Sequence, residues 1–152
     1  MIGTTFTIYR LDSGEIVSAP TVVFPEDHRQ AYRDAALAPW GAEEHAVVEA
    51  PSTPALHYVG TLGGEPAVLD RPAMQVQVSK LSIAAGGTDE AVLTGLPDPC
   101  SVVIDAPDPL VETTVQEVAG GGFVFAAADP GTYTVEVHYF PFLPYKVEIA
   151  AT

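Results

Sequence analysis

Gly131-Thr132-Tyr133-Thr134-Val135-Glu136-Val137-His138-Tyr139 alternates without a break. Tyr133, Val135, Val137 and Tyr139 fall on one face, and Thr132, Thr134, Glu136 and His138 on the other. A period of two is that of a strand with one face toward a core and one toward water. The next segment repeats it, with Tyr145, Val147 and Ile149 set against Lys146 and Glu148. Phe123 and Phe125 do the same upstream. The stretch Asp129-x-Gly131-x-Tyr133-x-Val135 also fits a tyrosine corner, in which the phenol hydrogen-bonds back to the preceding turn.

Outward from this strand, the second half of the chain reads as all-β. Strands are expected over 74–83, 89–95, 100–106, 110–118, 122–128, 131–140 and 145–151. Gly86-Gly87, Leu96-Pro97-Asp98-Pro99, Ala106-Pro107-Asp108-Pro109, Gly120-Gly121 and Asp129-Pro130-Gly131 mark the turns. Seven short strands at about ten-residue spacing predict an immunoglobulin-like β-sandwich over 73–152.

The first half, 1–72, reads as a small α+β unit. Phe6-Thr7-Ile8-Tyr9-Arg10 and Glu15-Ile16-Val17 flank Leu11-Asp12-Ser13-Gly14, a hairpin turn whose glycine takes a positive φ. Thr21–Phe24 is a further strand. Residues 26–38 form the helix candidate, with Glu26 and Asp27 at the positive end of its dipole and Ala31, Tyr32, Ala35 and Ala36 along one stripe. Ala46–Glu49, Leu56–Val59 and Ala67–Leu69 complete the strands. The fold class is therefore mostly β: a small α+β unit, then a sandwich.

The chain has 152 residues, with 47% hydrophobic and 17% charged. No apolar run is long enough to span a bilayer, so no membrane insertion is expected. Met1–Phe6 lacks the basic and apolar regions of a signal peptide. Twenty acids against six bases give a net charge of −14. Residues 1–80 carry five bases and ten acids (−5); residues 81–152 carry one base and ten acids (−9). The bases are scattered, which argues against nucleic acid as a partner. The acidity confers solubility and opposes close packing of identical copies.

No catalytic, metal or cofactor site is expected. His28, His45, His57 and His138 fall in no metal-ligand spacing. Glu43-Glu44-His45 lacks a third ligand and reads as a polar loop. Asp105 and Asp108 are too few for calcium. Cys100 is the lone cysteine, which excludes an internal disulfide and fits a reducing cytosol. At the start of a strand it has no base or helix end to activate it, so it reads as a small core residue.

The candidates that remain are contact residues. A unit of about 70 residues with one helix has little core, so burial against another chain is expected. Phe24, Trp40 and Leu56 lie in or beside proline-rich connections and are the expected contacts there. His138-Tyr139-Phe140-Pro141-Phe142-Leu143-Pro144-Tyr145 is the densest aromatic stretch. Tyr139, Phe140 and Phe142 are the candidates for a rigid interface tip there, and a half-buried connection that only fills the core is the alternative.

Several of these segments resemble a known family. Phe6-Thr7-Ile8-Tyr9, Ser13-Gly14-Glu15-Ile16, Ala46-Val47-Val48-Glu49, His57-Tyr58-Val59 and Asp70-Arg71-Pro72 are similar to the N-terminal unit of small tail-associated proteins of tailed bacteriophages. Ala42–His45 and Pro39-Trp40 depart from that pattern. Asp89–Pro97 and Gly131–Val135 resemble immunoglobulin-like modules of phage fibre, baseplate and decoration proteins. The resemblance implies a non-enzymatic virion protein, made in the host cytoplasm and built into the tail as fibre, baseplate or tail tip. It implies other tail proteins or copies of itself as partners. A free-standing host-surface or glycan-binding module, or a capsid decoration protein, is the alternative.

Overall fold

A computed structural model describes residues 1–152. The protein is mostly β, with one α-helix and several sheets. It divides into two compact units, Met1–Arg71 and Pro72–Thr152.

In the first unit, β1 (Ile2–Arg10) is the organising strand and pairs antiparallel with three others: β2 (Ile16–Ser18), β3 (Thr21–Phe24) and β4 (His45–Glu49). The β1–β2 turn closes as expected, with the Gly14 N–H donating to the Arg10 carbonyl at 2.9 Å and Gly14 at φ 76°. A short 3-10 turn (Glu26–His28) leads into α1 (Arg29–Leu37), within the range read from the sequence. Ala36 and Leu37 of α1 pack on a core of Phe6, Ile8, Phe24 and Val47. Arg33 Nη2 donates to the Val47 carbonyl at 3.0 Å, and Arg29 pairs with Glu49 at 2.9 Å, which ties the helix to β4. Thr7 is the buried polar residue here. Its hydroxyl meets the Ala50 carbonyl and Ser52 Oγ, both at 2.7 Å, so burial leaves it satisfied. The hairpin of β5 (His57–Leu62) and β6 (Glu65–Asp70) adds a second small core of Tyr9, Ile16 and Val59.

The second unit contains β7 (Gln77–Val78), β8 (Ser82–Ile83), β9 (Ala91–Thr94), β10 (Cys100–Asp105), β11 (Thr114–Val118), β12 (Gly122–Phe125), β13 (Gly131–His138) and β14 (Tyr145–Ala151). One sheet has the order β11-β10-β13-β14-β8 and the other β12-β9-β7. Both feed one core that includes Ile83, Leu93, Val102, Phe125, Val135, Val137 and Ile149. Val135 and Val137 are completely buried, as the alternation of β13 requires. Burying each contributes about 1.5–3 kcal/mol.

The single strand expected over 74–83 is instead two short ones in different sheets. Ser79 closes β7 onto β9: its N–H donates to the Val92 carbonyl and its hydroxyl accepts the Val92 N–H, both at 2.9 Å. Two residues later the Leu81 carbonyl accepts from Ala150, and β8 runs parallel to β14. Asp89 holds the step between them. It accepts from Lys80 Nζ, from the Ala84 N–H at 2.8 Å and from the Glu90 N–H at 3.0 Å. The strand expected from 110 begins only at Thr114. Asp108 captures the Leu110 N–H with its side chain and the Val111 N–H with its carbonyl, and so bends the chain into a turn.

Candidate interaction surface

The six expected contact residues occupy different environments. Phe24 is a correction: it is 0% exposed and cannot meet a partner chain in this fold. Its ring stacks between Phe6, at 5.6 Å, and Tyr32 of α1, at 4.8 Å. The helix that follows Pro25 folds back over it. Trp40 and Leu56 are exposed, with Trp40 tilted against His45 at 5.9 Å. Tyr139 is exposed, whereas Phe140 and Phe142 are half-buried. The Phe142 N–H donates to the Tyr139 carbonyl at 2.9 Å, which brings the two rings to 6.2 Å. The Leu143 N–H donates to the Pro72 carbonyl at 2.8 Å. The aromatic connection is thus tied down, and Phe142 also packs against the core of its own unit.

The polar candidates are absorbed locally. No three His, Cys, Asp or Glu side chains lie where they could hold one metal ion. Asp105 accepts from the Thr113 hydroxyl, and Asp108 is used in its turn. His57 Nδ1 lies 2.8 Å from the Thr53 N–H, and its Nε2 lies 3.3 Å from Asp70. His138 and Lys146 both approach Glu136 at 3.2 Å. Cys100 is 2% exposed, and burial pushes its thiol up.

One surface was not singled out from the sequence. β11 and β12 are end strands of their sheets, and both line an open groove of about 410 Å³. Thr114 and Gln116 of β11 and Val124 and Phe125 of β12 form its walls, with Glu112 and Asp129 beside them. Leu110 is 90% exposed and Val115 63%; Val111 and Val124 are also exposed. Such apolar residues on an unpaired edge mark a contact surface. The composition of 110–118 carried the signal, because Thr-Val-Gln-Glu-Val lacks the proline and lysine that usually guard an edge.

The chain is thus a mostly β protein of two units. No protein-family model and no curated protein matches it. Among solved structures it is similar to a glycosyl hydrolase family 2 member from Bacteroides cellulosilyticus DSM 14838. The identity is 13% and the TM-score 0.36, over 96% of this chain and 23% of that one. A second structure of a family 2 member from Bacteroides cellulosilyticus gives 12% identity and a TM-score of 0.36, over 97% of this chain and 21% of that one. The chain spans less than a quarter of those proteins' length, and likeness at this level carries no activity with it.

Proposed function

We propose that the chain is a non-enzymatic structural protein of a tailed-phage virion, part of the tail fibre, baseplate or tail tip. The second unit is read as an immunoglobulin-like module that projects, and the first as the docking unit. The observation that carries the immunoglobulin-like reading is the division of the first strand between the two sheets, β7 on β9 and β8 on β14. The Tyr133 corner supports it, with the phenol donating to the Asp129 carbonyl at 3.0 Å. The tail reading rests on the likeness of Phe6–Tyr9, Ser13–Ile16, Ala46–Glu49 and Asp70–Pro72 to tail-associated proteins. Its partners are other tail proteins, less acidic than this chain, because a net charge of −14 opposes packing of identical copies.

A mass-spectrometric inventory of purified particles tests this reading. The chain is expected there at a stoichiometry fixed by tail symmetry, and its absence from intact particles overturns the proposal. Exposed Tyr139 favours the second reading, a free-standing host-surface or glycan-binding module. Binding of the isolated chain to host cells or glycan arrays, lost on Tyr139→Ala, would select it.

A further inference from the structure

We propose that β11 accepts an added β-strand from a partner protein, an extended segment of alternating apolar residues flanked by lysine or arginine. The inference concerns the second unit alone and stands whether or not the chain belongs to a phage tail. Three observations carry it.

The first is the edge itself. β11 pairs with β10 in continuous antiparallel register from Thr114↔Ile104 to Val118↔Cys100, with no bulge, and nothing pairs with its other side. In an antiparallel ladder every second residue turns its N–H and C=O away from the existing neighbour. β11 therefore offers a row of unpaired donors and acceptors, and such a row is a template for another strand.

The second is what surrounds the edge. Thr114, Val115, Gln116 and Glu117 are all exposed, so both faces of β11 stand clear. On one face lies the groove shared with β12, walled by Thr114, Gln116 and Val124. A guest strand on β11 would lay alternate side chains into that groove and the others beside Val115. Leu110 and Val111, at the entrance to β11, extend the apolar surface.

The third is charge, which selects the occupant. Glu112 and Asp129 line the groove, Glu117 is on the strand, and no lysine or arginine lines it. A second copy of this chain would bring the same carboxylates. A segment with basic flanks meets them with opposite charge.

The probe is a nine-residue peptide that alternates valine and threonine between pairs of lysines, labelled for fluorescence anisotropy against the full chain. Saturable binding that weakens with added salt is expected. Val115→Lys should weaken it by about tenfold or more, a change equal to about 1.4 kcal/mol. Val23→Lys, an exposed strand position in the first unit, should leave it unchanged. Circular dichroism confirms that both variants fold. The same peptide N-methylated at alternate residues should not bind, because it lacks the amides a ladder needs. Equal binding of the N-methylated peptide, or of the Val115→Lys variant, overturns the proposal. So does the absence of binding by the parent peptide, and so does self-association of the pure chain that Val115→Lys abolishes, which would make a second copy the occupant.

Discussion

The Tyr133 hydroxyl reaches back four residues and donates to the main-chain carbonyl of Asp129 at 3.0 Å. The bond locks the turn before β13 to the strand itself, and the ring also packs against Phe125 at 5.3 Å. Tyr133→Phe keeps the ring and deletes the donor. It should cost about 1 kcal/mol in urea unfolding. An unchanged midpoint with an unchanged slope would show that the bond does not hold the turn.

Gly14 sits under the β5–β6 hairpin, where its carbonyl accepts the Val59 N–H at 2.9 Å. A Cβ there would stand 2.1 Å from the Val59 carbonyl oxygen, with φ at +76°. Gly63 has a similar φ of +61°, but nothing lies within 4 Å of its Cβ position. Gly63→Ala should therefore cost about 1–2 kcal/mol, the left-handed backbone penalty alone. Gly14→Ala should cost clearly more, because the hairpin must shift. Parallel thermal melts of the two variants measure the difference, and equal losses would exclude the clash.

The Lys80 ammonium, the Ala84 amide and the Glu90 amide hold the Asp89 carboxyl below the usual carboxylate range. A carboxylate favoured in this way stabilises the fold above its unfolded pKa of roughly 3.9, and loses that contribution as pH falls through the folded value. Asp89→Asn should thus unfold at a lower temperature than the parent near pH 7. The two curves should converge in acid. A gap that stays constant with pH would assign the effect to lost hydrogen bonds rather than to charge.

Cys100 opens β10 inside the core, and burial is the main reason its thiol is raised. Only the thiolate attacks disulfide reagents. The native protein should react slowly with such a reagent at pH 7, and rapidly once denatured. Fast reaction in the native state would mean that β10 opens readily.

Where one element decides its own environment, the sequence was sufficient. The alternation along β13 fixes which valines are buried, and Asp-Ser-Gly at 12–14 fixes the hairpin. The helix is bounded by its own residues too. Phe24 was misread because its surroundings come from elsewhere: Tyr32 lies on the following helix, and only the fold brings it over the ring. The break at residues 79–81 was hidden for the same reason, since β9 and β14, distant in sequence, compete for one stretch of chain. The open edge of β11 was legible only in part: Thr-Val-Gln-Glu-Val lacks the residues that guard an edge, but which strand ends a sheet is defined by what does not pair with it. Trp40, Leu56 and Tyr139 are exposed.

The parallel pairing of β8 with β14 has a mechanical consequence. β8 enters near the start of the second unit and β14 ends it, so the two strands reach its ends from opposite directions. Tension along the chain would pull them past one another. The bonds from Ala150 to Leu81, from Thr152 to Ile83 and from Ala85 to Thr152 lie across that pull and are strained together rather than opened one after another. A clamp loaded in shear yields at higher force than one that unzips.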